Sequence, residues 1–291
     1  MRSAWVGVLG VLLALAGASG GARAAMDPAY LTPMPAYRIA DNLYYVGSKD
    51  LASFLVTTPQ GDILIDSDLA QSVPLIRRSV ESLGFKFSDI RILLISHAHS
   101  DHAGGSAEIV RETHAKYMVM DADVPVVESG GAKDFAYPKD RYPAVKVDRV
   151  LHDGDEVRLG GVVLVAHKTA GHTRGCTTWT MKTADKGRPL NVVIVGGWYV
   201  LPGIRLGSRG GREASYPGIA EDYAAGFKVL KALPCDVFLG AHGVYYGMLG
   251  KYARMRAGTA NVWVDPEGYR TELAARERDF EAELKRQEQG R

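Results

Sequence analysis

Cysteine is scarce, two in 291 residues, which excludes a disulfide-knot scaffold and argues against a cysteine-rich structural zinc site. Charge of one sign is lacking as well. The 35 Lys and Arg against 33 Asp and Glu leave +2, and Arg2 and Arg23, in an N-terminal stretch without acids, account for that excess. With no basic stripe to neutralise phosphates, no nucleic-acid partner is expected. Strict repeats and low-complexity segments are missing, and 46% hydrophobic with 23% charged residues is the composition of a folded chain rather than a disordered or collagenous one. Downstream of residue 24 neither S-x-x-K nor G-x-S-x-G occurs, so a serine nucleophile of those types is not expected.

One long apolar run is present, Ala4 to Ala18, preceded by Arg2 and followed by Ala22-Arg23-Ala24. It is shorter than the roughly 18 residues a membrane helix wants, and the A-x-A ending has the form of a signal-peptidase site. The reading is a signal peptide over residues 1–24 and a catalytic domain over 25–291, periplasmic and without stable membrane association after cleavage. Export would put Cys176 and Cys235 where a disulfide can form. Sequence separation leaves buried thiols equally open, and a zinc role is a third alternative that the chain's histidines weaken.

Beyond the leader, short Val/Ile/Leu runs alternate with stretches of helical periodicity, which predicts a mixed α/β fold of sheets covered by helices in one domain. Strands are expected at 43–46, 53–57, 63–65, 92–95, 117–120, 162–167, 177–181, 192–195 and 237–239. Helices are expected at 70–83, 105–113, 122–128, 219–232, 247–257 and 272–289. Two segments read as long loops, Ser129 to Arg149 and Leu201 to Pro217, of the kind that often line binding sites.

The chemistry concentrates in His97-Ala98-His99-Ser100-Asp101-His102-Ala103-Gly104-Gly105, which follows the apolar run Leu93-Leu94-Ile95. Three of the chain's eight histidines fall within six positions, joined by a carboxylate. A strand that stops at such a cluster, with glycines opening a helix, places ligands at the rim of a sheet. Imidazole and carboxylate without thiolate suit zinc, with iron and manganese also compatible by ligand type. Two further histidines sit between glycines after apolar strands: Gly171-His172-Thr173-Arg174-Gly175 and Gly240-Ala241-His242-Gly243. Five histidines and one aspartate suffice for two metal sites with three protein ligands each. His114, His152 and His167 lack such settings.

H-A-H-S-D-H, G-H-T-R-G-C-T-T-W, the late G-A-H-G and the strand-turn Leu64-Ile65-Asp66 together resemble the metallo-β-lactamase superfamily, and within it the subclass B3 enzymes. The resemblance implies an αββα sandwich with two Zn2+ ions between two β-sheets. It places His97, His99 and His172 on the first ion and Asp101, His102 and His242 on the second, with Asp101 also orienting the attacking water and Asp66 supporting the ligand loop. The run Val192 to Val195 ends in Gly196-Gly197-Trp198, where glyoxalase-like, lactonase-like and ribonuclease-like relatives carry a bridging aspartate and B1 and B2 lactamases a cysteine. The implied activity is hydrolysis of a small β-lactam by a monomer, which confers antibiotic resistance. The serines with which B3 enzymes often grip the substrate carboxylate are missing here. Trp198, Arg205 and Ser208 are the candidates in that stretch, and the altered wall keeps open another exported hydrolase of a lactone, thioester or phosphodiester.

Overall fold

β-Branched and leucine-rich runs form the strands, and their alternation decides which layer each side chain enters. The computed structural model of the protein describes residues 26–290; the expected signal peptide lies outside them. One sheet holds seven strands in sequence order: β1 (Tyr37–Ala40), β2 (Leu43–Tyr45), β3 (Phe54–Thr58), β4 (Gly61–Ile65), β5 (Ile90–Leu94), β6 (Lys116–Met120) and β7 (Arg149–Leu151). Its first four strands are antiparallel, and β4 to β7 run parallel. The other sheet is built from β8 (Glu156–Leu159), β9 (Val162–Lys168), β10 (Thr177–Asp185), β11 (Arg188–Val195) and β12 (Val237–Gly240), in the order β12-β11-β10-β9-β8. Only β11 and β12 are parallel in it.

The helices are α1 (Val73–Ser82), α2 (Ser100–Ala103), α3 (Ser106–Thr113), α4 (Val124–Glu128), α5 (Ile219–Ala232), α6 (Met248–Arg256) and α7 (Pro266–Glu288). Ile63 and Ile65 of β4 and Ile92 and Leu94 of β5 share one core with Trp179 and Ile194 of the facing sheet. Leu64 and Leu93 point the other way, onto Val73, Ile76 and Val80 of α1 and Ile109 of α3. Phe227 and Leu230 of α5, with Leu273 and Phe280 of α7, cover the outer face of the second sheet. The result is the expected αββα sandwich.

All nine expected strands form. β1, β7 and β8 add to them, and each is only three or four residues long, too short for a periodic signal. α7 begins six residues before the expected Glu272 because Asp265 accepts a hydrogen bond from Gly268 N (2.9 Å) and Pro266 occupies the first turn. Cys176 is buried, Cys235 half-buried, and both are free thiols; the disulfide alternative is not realised. No described helix is long and apolar enough to cross a membrane.

The sheets are stitched together at one end. Thr177 N donates to Ser96 O (2.7 Å), and Ala52 N donates to Ala241 O (2.9 Å). Trp179 Nε1 donates to Ile95 O (3.1 Å). At that end β5 runs out into His97, β12 into His242, and the β9–β10 connection carries His172. Ile65, fully buried between the sheets, is a direct probe of this packing. Ile65→Ala is expected to lower unfolding free energy by about 2–5 kcal/mol in guanidinium titrations, since a cavity is left as well as apolar area lost.

Candidate metal centre

Past Leu94 the chain turns sharply, and a buried carboxylate holds the turn: Asp66 Oδ1 accepts from Ser96 N at 2.6 Å. His99 caps α2, whose first turn carries Asp101 and His102. The ensuing Gly105 lies so close to Ser67 that a Cβ there would stand 2.4 Å from the Ser67 carbonyl oxygen. The glycine after the histidine run therefore lets α3 start against the β4 turn.

His97, His99 and His172 bring their donor atoms within 4.8 Å of one another, and His97, Asp101 and His102 do the same. His102 Nε2 lies 3.1 Å from His242 Nε2. Asp101 Oδ2 is 3.5 Å from His102 Nε2 and 3.7 Å from His242 Nε2. The two trios adjoin, with the His97 and His102 ring centroids 4.2 Å apart. All six residues expected as metal ligands thus converge at one place.

An oxygen faces one nitrogen of each ring, in hydrogen-bond contact with His97, His172 and His242 and at ion-pair distance from His99 and His102. His172 Nδ1 pairs with the Tyr199 carbonyl at 2.9 Å, and His242 Nδ1 with Asp50 Oδ2 at 2.8 Å. His97 Nδ1 lies 3.1 Å from Ser96 Oγ. His102 Nδ1 is 3.5 Å from Asp66 Oδ2, and His99 Nε2 is 3.4 Å from Asp134 Oδ2. Such partners orient imidazoles and leave the other nitrogen for the centre. The Nε2 of His97 is buried with no hydrogen-bond partner. An orphaned buried lone pair among four other imidazoles fits a cation and little else.

Electrostatics prepare the same set. Burial, followed by the neighbouring histidines, holds His97 and His99 well below the ordinary imidazole range. Burial lowers His172 to about 4. These rings are neutral at pH 7, as ligands must be. Burial would lower His102 too, but the Asp101 and Asp66 carboxylates outweigh it and raise it to about 9. Burial pushes Asp101 up, yet His102, His242 and His99 together bring it down to about 2, so it is ionised. Asp123, raised by burial to about 6, accepts from Ala98 N (2.9 Å), Thr173 Oγ1 (2.8 Å) and Gly175 N (2.9 Å). It ties the His97–His102 segment to the His172 loop.

A cavity of about 870 Å³ opens over the centre, with His99, Asp101, His172 and His242 exposed to it and Tyr199 and Tyr245 in its wall. Here the substrate-contact expectations require correction. Trp198 is buried, its ring 5.8 Å from Phe238 and 5.6 Å from Tyr245. Arg205 Nε donates to the Glu213 carbonyl at 2.5 Å and Ser208 Oγ to Glu213 Oε2 at 2.8 Å. The loop closes on itself, and none of the three lines the cavity. Tyr199 and Leu201 take that place. Asp50, Asp123, Asp134 and the Tyr199 carbonyl were not anticipated; Asp123 ends the 3-10 turn that leads into α4, the other three lie in loops, and the partner of each is remote in sequence.

Gly197 packs on the His172 ring so closely that a Cβ would lie 2.7 Å from His172 Cδ2. A bridging aspartate or a cysteine ligand has no room at that point.

A family model described as the metallo-beta-lactamase superfamily matches residues 51–184. The native FEZ-1 metallo-β-lactamase from Legionella gormanii is 52% identical, with a TM-score of 0.85 over 88% of this chain and 98% of that one. BJP-1, a subclass B3 metallo-β-lactamase of Bradyrhizobium japonicum, is 37% identical, with a TM-score of 0.82 over 90% and 98%. A hydroxyacylglutathione hydrolase of Rhodopseudomonas palustris is 27% identical over 125 residues, 43% of this chain and 40% of that protein. The chain spans less than half the length of the curated relatives it matches.

Removing the carboxylate that orients His242 tests the centre without touching a donor. Asp50→Ala is expected to weaken zinc affinity about 10- to 100-fold in chelator competition, the usual cost of losing such a partner.

Proposed function

The chain belongs to the metallo-β-lactamase superfamily, and from that premise we propose that it is an exported, zinc-dependent β-lactam hydrolase of the B3 kind, processed after Ala24 and acting in the periplasm. The observation that carries the reading is the closure of the second donor trio by His102, with Nε2 set 3.1 Å from His242 Nε2 and 3.5 Å from Asp101 Oδ2. A Cβ at Gly197 would stand 2.7 Å from His172 Cδ2, which favours that histidine over a bridging aspartate or a cysteine as a donor to a second ion. The likeness to FEZ-1 and BJP-1, two metallo-β-lactamases, supports the substrate class.

His97, His99 and His172 would hold one zinc ion, and Asp101, His102 and His242 a second. Bound zinc lowers the pKa of a coordinated water to about 7 and polarises a carbonyl oxygen, supplying nucleophile and electrophile together. The chain's own part is positional. His97, His99 and His172, held neutral by burial, present unprotonated nitrogens, and the Asp50, Asp66 and Tyr199 oxygens fix the planes of His242, His102 and His172. Asp101, ionised and open to the cavity, offers a carboxylate oxygen that orients water and can pass a proton toward the departing amide nitrogen. No serine or cysteine nucleophile is required, because water attacks directly and no acyl-enzyme forms.

The hydroxyacylglutathione hydrolase relative gives a second reading, thioester hydrolysis. Purified protein is expected to turn over nitrocefin and imipenem, to lose that activity in EDTA and to regain it with zinc. Two zinc ions per chain are expected by elemental analysis, and one in His102→Ala. Intact lactams alongside cleavage of a thioester, lactone or phosphodiester would favour the second reading; two ions retained by His102→Ala would remove the B3 assignment.

A further inference from the structure

Side-chain carboxylates stand beside two of the rings in the second donor trio, Asp50 at His242 and Asp66 at His102. His172 Nδ1 instead meets a backbone oxygen, the Tyr199 carbonyl. Tyr199 follows β11 in a stretch without regular secondary structure, so neither a ladder nor a helix fixes where that oxygen points. Something else has to hold it.

Tyr223 of α5 does so. Its hydroxyl donates to the same Tyr199 oxygen at 2.8 Å, alongside His172 Nδ1 at 2.9 Å. A carbonyl oxygen has two lone pairs and no proton, so both partners must donate to it. The His172 proton is thereby assigned to Nδ1, and the Nε2 lone pair is left for an ion. Burial raises the Tyr223 phenol far above its ordinary range, and it stays a donor.

The face of the same ring supports the backbone that enters His172. Gly171 packs on it so tightly that a Cβ would stand 2.6 Å from Tyr223 Cγ, and its φ of +129° is one that side chains rarely adopt. One tyrosine therefore touches both the residue before the ligand and the ligand's acceptor. Tyr223 is itself held in place, 3% exposed and stacked on Phe280 of α7 with centroids 5.4 Å apart and planes at 26°. Arg276, also on α7, stands 5.0 Å over the Tyr199 ring and restrains that residue from its other end.

We infer that Tyr223 is a positioning residue for the metal centre: it fixes the backbone before His172 and the carbonyl that orients its imidazole, and so couples the α5–α7 layer to the donors. The inference rests on the proposed function for the identity of the ion. For the orientation of the ring it rests on the Gly171, Tyr199 and Tyr223 contacts alone.

Tyr223→Phe removes the hydroxyl and keeps the ring under Gly171. Zinc affinity is expected to fall about 3- to 10-fold in chelator competition, the effect of one hydrogen bond on an equilibrium. Tyr269→Phe is the matched control, because the Tyr269 hydroxyl donates to the Leu230 carbonyl at 2.8 Å in the same helical layer, and Tyr269 does not line the cavity. It should cost comparable stability in guanidinium titrations and leave zinc affinity as it was. Unchanged affinity in Tyr223→Phe, or an equal loss in both variants, would overturn the inference.

A measurement on metal-free protein separates this from the hydrolase reading. The His172 Nδ1–H proton, followed by NMR, is expected to exchange with water about threefold faster or more in Tyr223→Phe, and as in wild type in Tyr269→Phe. Exchange unchanged in Tyr223→Phe would also overturn the inference. If exchange quickens as expected while the wild type takes up no zinc, or takes it up and opens no lactam, the hydrolase reading fails and the positioning role stands. If lactams are opened but zinc affinity and exchange in Tyr223→Phe match wild type, the positioning role is wrong and the hydrolase reading is untouched.

Discussion

Five imidazoles crowded between two sheets cannot all carry protons, and the rest of the site follows from that constraint. His97, His99, His102 and His172 form a chain of ring contacts at 4.2–4.9 Å, with His242 4.8 Å from His102. At such separations in a dry interior, each added charge raises the cost of the next. Burial therefore keeps three rings neutral. The one ring raised to about 9, His102, is the one placed between Asp101 and Asp66. The unpartnered Nε2 of His97 is a lone pair that a cation at this point would satisfy.

The carboxylates that frame the cluster perform two tasks with one geometry. Asp66 holds the Ser96 amide and stands beside His102. Asp50 holds His242 Nδ1 and the Val244 amide. Asp123 holds three donors from two ligand loops. In every case a buried acid satisfies backbone that a sharp turn leaves unpaired, and the same side chain fixes a ligand or the loop that bears it. Loop construction and ligand orientation are thus inseparable here.

Much of this was legible in the sequence, for physical reasons that differ by element. The central strands announce themselves because both faces are buried, as in Ile92–Leu94 and Val192–Val195. The convergence of the histidine cluster was legible because three histidines and an aspartate in six positions leave little other use for them. Asp66 could be found because it ends a strand next to the ligand strand in the sheet. Asp50 could not: it lies 192 residues from the histidine it supports, and nothing around Lys49-Asp50-Leu51 distinguishes it from a surface turn. Arg205 and Ser208 misled because loop membership says nothing of direction, and the 205–215 segment satisfies its own polar groups.

The donors come from both halves of the sandwich, four from the end of β5 and one each from beside β10 and β12. A cation shared among them would work as a rivet through the seam. Any splaying of the sheets has to release it first, so occupancy and resistance to heat or proteolysis rise together as the free metal concentration rises. Scarcity of the ion would then act on how long the molecule lasts as well as on how fast it works.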